Sequence, residues 1–111
     1  MEIKKILNEK YSLLTSFDIN NEHFNGIYQT DLLSAAIKSS KPDNALITLI
    51  NSLNTIACAV MCDIKVVILS ECEVVVPEII KKADENDIVL IITKLKSYEV
   101  VLDLYNRGLY E

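Results

Sequence analysis

Polar side chains that could bind a ligand follow the apolar segments of this chain. They form two groups of candidates, Thr30, Asp31 and Ser34 in the first, and Asn51, Ser52 and Asn54 in the second. Amide and hydroxyl groups beside one carboxylate suit a polar ligand with hydroxyl or amine groups, because Asp31 would repel a bare phosphate. The same residue types are favoured as helix N-caps, so a purely structural role is the alternative.

The chain holds little of the chemistry on which enzymes commonly depend. Its only two glycines, Gly26 and Gly108, are far apart, which excludes the glycine-rich dinucleotide loop and the Walker A loop. The only histidine, His23, excludes metal sites built from several histidines, and it lies near no nucleophile. No acid–base pair stands out, so we expect no enzyme activity, no metal and no cofactor.

The three cysteines, Cys58, Cys62 and Cys72, are an odd number in apolar or loop contexts, which fits a disulfide framework poorly. Cys58 and Cys62 share a helical face, but a metal site there would need further ligands. Glu71 and Glu73 flank Cys72, which should raise the pKa of its thiol and disfavour a reactive thiolate. We expect the cysteines to serve as small apolar residues.

The charge balance restricts the classes of partner. There are 11 basic and 16 acidic residues, a net charge of −5, without a basic stripe. Binding to nucleic acid or to an anionic membrane is therefore not expected. Residues 44–62 carry no charge, but an Asn-Ser-x-Asn cluster within them would be costly in lipid. The first ten residues lack the apolar segment of a signal peptide, so we expect a cytoplasmic protein.

Hydrophobic spacing predicts the elements that would position these groups. In the first 40 residues the pattern predicts an amphipathic helix, a short strand, a polar loop, a second strand and a helix that starts at Thr30 and Asp31. The ranges of the first four are Met1–Tyr11, Ser12–Thr15, Phe17–Asn25 and Gly26–Gln29.

Three continuous apolar runs of strand length follow, Ala45–Ile50, Lys65–Leu69 and Ile88–Ile92. Such runs are typical of parallel strands that are buried on both faces. Helices are predicted after each run, from Asn51 and Ser52 to Cys62, from Pro77 to Asn86, and from a Ser97 cap to Gly108. The pattern predicts one three-layer α/β domain over residues 1–111, with a largely parallel central sheet, helices on both faces and the N-terminal strands as a mixed or antiparallel edge.

Ligands of open α/β sheets bind beyond the carboxyl ends of the strands. Besides the two groups named first, this edge would carry Ser70, Glu71 and Cys72 after one run, and Thr93, Lys94 and Ser97 after another. We favour the place where the two first groups meet, if the Gly26–Gln29 strand runs alongside the core sheet.

The segment Tyr28–Ser34, which reads Tyr-Gln-Thr-Asp-Leu-Leu-Ser, resembles small stand-alone DRTGG-domain proteins of anaerobic bacteria. Those proteins typically carry a Tyr-x-Ser-Asp-Leu-Leu-Ser segment, followed by a strand and by an Asn before an Ala-rich helix. Here Asn54–Ala59, Lys65–Leu69 and Ser97–Val101 fall in register, so the resemblance covers roughly residues 25–109.

This resemblance implies a fold similar to the N-terminal domain of HPr kinase and of Mur ligases. It also implies a regulatory or accessory role, since related domains sit beside CBS domains in regulated pyrophosphatases and within some phosphate acetyltransferases. It singles out Asp31, Ser34 and Asn54. The family's glycine pair after the second core strand is replaced by the segment 70–73, Ser-Glu-Cys-Glu, and the frequent histidine near the Asn by Ser52.

The leading hypothesis is a non-catalytic regulatory or interaction domain that senses a small polar metabolite or a nucleotide. The alternative is a structural or scaffolding subunit of a larger metabolic or redox enzyme system, without a ligand. A 50% apolar composition in 111 residues predicts a homodimer or higher oligomer. The candidate contact surfaces are the uncharged helix Leu53–Cys62 and the tyrosines Tyr98, Tyr105 and Tyr110, although both faces could simply cover the sheet.

Overall fold

The computed structural model describes residues 1–111, which form a five-stranded sheet and its covering helices. The strands are β1 (Tyr11–Leu13), β2 (Ile27–Gln29), β3 (Ala45–Thr48), β4 (Val66–Leu69) and β5 (Val89–Thr93). The helices are α1 (Leu33–Ser39), α2 (Leu53–Met61), α3 (Pro77–Glu85) and α4 (Ser97–Asn106), and a 3-10 helix spans Ile3–Ile6.

The sheet has the strand order β1-β5-β4-β3-β2. β2 to β5 are parallel to one another, and β1 lies antiparallel along the outer edge of β5. The prediction of a largely parallel central sheet from the three apolar runs is confirmed, and every residue of β3, β4 and β5 is buried. The strand predicted near Gly26–Gln29 does run alongside this core, since Gln29 is in register with Ile47.

Two apolar clusters, one on each face of the sheet, confirm the predicted three layers. One cluster joins residues of α1, α2 and α3 to alternate residues of the central strands. The other joins the 3-10 helix, residues 17–24 and α4 to the opposite face. Each step from β2 to β5 moves in the same direction across the sheet, so crossovers of the usual hand place their three helices on one face. After β5 the chain turns to the other face to form α4.

The turns that lead from a helix into the next parallel strand all use an aspartate in the left-handed backbone region. Asp43, Asp63 and Asp87 have φ angles of 64°, 55° and 55°. A short polar side chain tolerates this conformation better than other non-glycine residues do. The chain thereby closes three similar turns although it has only two glycines.

The predicted N-terminal helix over Met1–Tyr11 is wrong. Only one 3-10 turn forms, and it places Ile3 and Ile6 side by side in the core, both fully buried. A 3-10 helix aligns residues three apart, so this spacing suits it as well as an α-helix. Tyr11 must pair with Thr93 at the edge of the sheet, and an extended backbone there excludes a helix.

Two predicted helix starts also differ from the structure. Ser97 is not the cap of α4 but its first residue, and the cap position is Lys96, whose backbone N–H donates to Glu99 Oε1 over 2.9 Å. α1 begins at Leu33, later than the predicted start at Thr30 and Asp31, because those two side chains stabilise the turn ahead of it. None of the helices combines the length and hydrophobicity needed to cross a membrane.

Candidate functional site

Asp31 joins the end of β2 to the end of β3. Its Oδ1 atom accepts hydrogen bonds from Thr48 Oγ1 at 3.0 Å and from the backbone N–H of Leu49 at 2.9 Å. The chain continues from β2 over the carboxyl edge of β3, and a carboxylate there receives the N–H that the end of the strand leaves unpaired. Its other oxygen, Oδ2, is free to accept a hydrogen bond from a ligand.

The neighbouring residues divide between structural and free side chains. Thr30 Oγ1 accepts from the backbone N–H of Leu32 at 3.1 Å, a local turn that precedes α1. Ser34 and Asn54 lie in the first turns of α1 and α2, and both are exposed. Their side chains form no hydrogen bond within the chain, so they are available to a ligand or a partner.

Asn51 forms its hydrogen bonds with a different part of the chain from Asp31. Its side-chain amide donates to Val74 O over 3.0 Å and to Cys72 Sγ over 3.6 Å, which ties it to the connection between β4 and α3. Ser52 occupies the cap position of α2, but its side chain forms no capping hydrogen bond. Both groups of predicted site residues lie at the carboxyl edge of the sheet, but no hydrogen bond joins one group to the other, and no cleft of the surface is lined by any of the six.

Two clefts lie elsewhere on the same edge, around the carboxyl ends of β4 and β5. One has a volume of about 380 Å³ and the other about 520 Å³. Both are lined by Glu73 and Lys94, whose side chains form an ion pair at 3.3 Å between them. The strand-end rule predicted Lys94 at this edge but not Glu73, and no spacing in the sequence distinguishes either residue from the group around Asp31.

The clefts are flanked by the connection from β4 to α3 and the connection from β5 to α4, and hydrogen bonds join these two connections. The backbone N–H of Glu71 donates to Leu95 O, and that of Cys72 to Thr93 O, each over 2.9 Å. At their base, Ser70 Oγ lies 2.6 Å from Ser97 Oγ. Glu71 has a φ angle of 49°, in the left-handed region that glycine adopts most readily, and it falls in the segment 70–73, where the resemblance to DRTGG proteins implies a glycine pair.

The three cysteines are free thiols. The pKa of Cys58 is raised to about 11, mainly by burial and to a smaller extent by the neighbouring Cys62. Burial also raises the pKa of Cys72, which lines the smaller cleft. A raised pKa is predicted for Cys72 from the sequence, and the pKa is raised. The dominant cause, however, is desolvation and not the neighbouring glutamates, because Cys72 is buried whereas Glu71 and Glu73 are exposed.

No protein-family model matches the chain, and no curated protein matches it. A solved structure with a similar fold is the crystal structure of the CBS and DRTGG domains of the regulatory region of Clostridium perfringens pyrophosphatase, complexed with its activator diadenosine tetraphosphate. The TM-score is 0.68 at 18% sequence identity, over 83% of this chain and 40% of that chain. This chain therefore spans less than half of that structure, and the similarity shows that it has an α/β fold of the kind found in that regulatory region.

Proposed function

We propose that residues 1–111 form one non-catalytic regulatory domain of the DRTGG type, similar in fold to the N-terminal domain of HPr kinase and of Mur ligases, which senses a small polar metabolite or a nucleotide. The observation that carries this proposal is the similarity in fold to a regulatory region that was crystallised with a nucleotide activator. The DRTGG-like segment Tyr28–Ser34 supports it independently. Three free thiols suit a reducing compartment, so we also propose a cytoplasmic location.

The ligand site that we propose is the edge formed by Thr30, Asp31, Ser34, Asn51, Ser52 and Asn54. Within this set, Asp31 Oδ2 and the side chains of Ser34 and Asn54 would contact the ligand, because they have no partner in the chain. Thr30 and Asn51 would hold the surrounding loops in place through the hydrogen bonds described above. One carboxylate among amides and hydroxyls suits the ribose hydroxyls or base of a nucleotide better than its phosphates.

Asn54→Ala is expected to abolish binding at this site without loss of stability, because its side chain is exposed and forms no hydrogen bond. The measurement is a thermal-shift titration with adenosine, AMP, ATP and diadenosine tetraphosphate. Asn106→Ala is the matched control, since Asn106 is also exposed, unbonded and helical, but lies at the end of α4. At least one of these compounds should raise the melting temperature of the wild type and of Asn106→Ala but not that of Asn54→Ala. If no compound does so, or if all three proteins respond alike, this site is not a ligand site.

A second candidate function is a scaffolding role without a ligand, and the exposed face of α2 favours it. This helix has no charged residue, and Leu53, Val60 and Met61 are 46%, 43% and 67% exposed along one side of it. In a chain with a net charge of −5, an uncharged face lets another acidic surface approach without charge repulsion. Under either function we propose that α2 joins two copies of the chain.

Light scattering at micromolar concentration is expected to give twice the 12.5 kDa mass of one chain. Met61→Glu should return the mass to that of one chain, because it places a like charge in both halves of a symmetric contact. Tyr98→Glu is the matched control on α4, where Tyr98 is 63% exposed, and it should leave the dimer intact. A single-chain mass for the wild type would contradict the dimer, and dissociation by Tyr98→Glu alone would move the contact to α4.

A further inference from the structure

The topology of the sheet opens a crevice at one position along its carboxyl edge. Ligands of open α/β sheets bind where neighbouring strands send the chain to opposite faces. β4 leads to α3 on one face and β5 leads to α4 on the other, so their connections diverge. β2 and β3 lead to α1 and α2 on the same face, so no such divergence occurs beside Asp31 and Asn54.

Both clefts at the carboxyl edge lie at this divergence. The larger cleft lies between the two connections, and the smaller continues from it towards the start of β1. They abut at the ion pair between Glu73 and Lys94, whose side chains are 67% and 80% exposed. We call the two together the switch-point cleft.

The charges of the switch-point cleft are mixed. Four glutamates and three lysines line it, a net charge of −1. A polyphosphate would meet more carboxylates than ammonium groups, and a simple cation would meet three lysines. A ligand that carries one positive and one negative charge can pair with a glutamate and a lysine at the same time. An exposed ion pair such as Glu73–Lys94 stabilises the protein little, so breaking it to admit the ligand costs little free energy.

One wall of the cleft is apolar. Cys72 and Ile92 line it beside the charged pair, and both belong to the apolar cluster on the α3 side of the sheet. A ligand held by its charges between Glu73 and Lys94 could therefore lay an apolar group on this wall. The hydrogen bonds between Glu71 and Leu95 and between Cys72 and Thr93 order the walls before a ligand arrives, which lowers the entropic cost of binding.

We propose that the switch-point cleft binds a free α-amino acid with an apolar side chain. The ammonium group of the ligand pairs with Glu73, its carboxylate pairs with Lys94, and its side chain packs on Ile92 and Cys72. This site is separate from the proposed nucleotide or metabolite site around Asn54. Asn51 has a structural role at this cleft, because its side-chain amide donates hydrogen bonds to Cys72 and Val74 and so stabilises one of the walls.

The test is isothermal titration of the protein with L-leucine, L-valine, L-methionine and L-phenylalanine. At least one is expected to bind, while N-acetyl-L-leucine and L-leucine methyl ester, which each lack one charge, are expected not to bind. Lys94→Gln and Glu73→Gln should each weaken binding by about tenfold or more, the usual effect of losing one charge-assisted hydrogen bond.

Lys38→Gln and Glu85→Gln are the matched controls, because both side chains are exposed and lie outside the cleft. They should bind as the wild type does, and so should Asn54→Ala, which separates this proposal from the nucleotide site. The proposal is overturned if none of the four amino acids binds, if the blocked derivatives bind equally well, or if Lys94→Gln and Glu73→Gln bind as tightly as their controls.

Discussion

Phe24→Ala is expected to lower the free energy of unfolding by about 3–5 kcal/mol, the range for removing a buried aromatic ring. Phe24 is fully buried although it lies outside every helix and strand. It belongs to the apolar cluster on the α4 side of the sheet, with Ile3 and Ile6. Its backbone N–H donates to Met1 O over 2.8 Å, so the backbone at this position also ties the N-terminal segment to the residues that cover the sheet.

Urea denaturation followed by far-ultraviolet circular dichroism measures this loss. The total stability of a domain is about 5–15 kcal/mol, so the variant should unfold at a much lower urea concentration. Phe17→Ala is the matched control, since Phe17 lies in the same irregular segment but only packs on the edge of the cluster. Equal losses for the two variants would show that the segment, and not the ring of Phe24, covers the sheet.

Asp103→Ala is expected to cost about 2–3 kcal/mol, because it removes the acceptor of the buried Tyr11 hydroxyl and one of the acceptors of the Arg107 guanidinium group. Asp103 Oδ2 accepts from Tyr11 Oη at 2.7 Å and from Arg107 Nη2 at 2.9 Å. The same guanidinium group donates to the backbone carbonyls of Lys5 and Ile6. The cluster therefore fastens the start of β1 and the 3-10 helix to α4. A double-mutant cycle with Tyr11→Phe measures the coupling, and additive losses would contradict a shared cluster.

The cluster should also make stability depend on pH at both extremes. Burial and the bond to Asp103 raise the pKa of Tyr11, so the stability it contributes is complete below about pH 10 and is lost as the pH rises further. Burial raises the pKa of Asp103, but Tyr11 and Arg107 outweigh this and lower it below its ordinary value. The contribution of Asp103 is thus present above about pH 4 and is lost as the pH falls below it. Melting temperatures of the wild type and Asp103→Ala should converge in acid.

The hydrophobic pattern alone was sufficient to predict the parallel core of the sheet. Ala45–Ile50, Lys65–Leu69 and Ile88–Ile92 are continuous apolar runs, and a strand covered on both faces has no position left for an exposed polar residue. The intervening helices follow from the same pattern, and Pro77 begins α3 as predicted. These features are local consequences of residue type, so no knowledge of distant contacts was needed.

The remaining features depend on contacts between distant parts of the chain. Residues 1–11 could form a helix by their spacing, but pairing of Tyr11 with Thr93 requires an extended backbone at its end. Phe24 lies in a polar segment whose sequence does not show that it covers the sheet. The position of the switch-point cleft depends on which face of the sheet α4 covers. Packing of Val100 and Leu104 places α4 on the face opposite α1, α2 and α3. The ends of the strands can therefore be predicted from the sequence. Which of these ends borders a cleft depends on the tertiary structure, because it depends on the faces that the following helices cover.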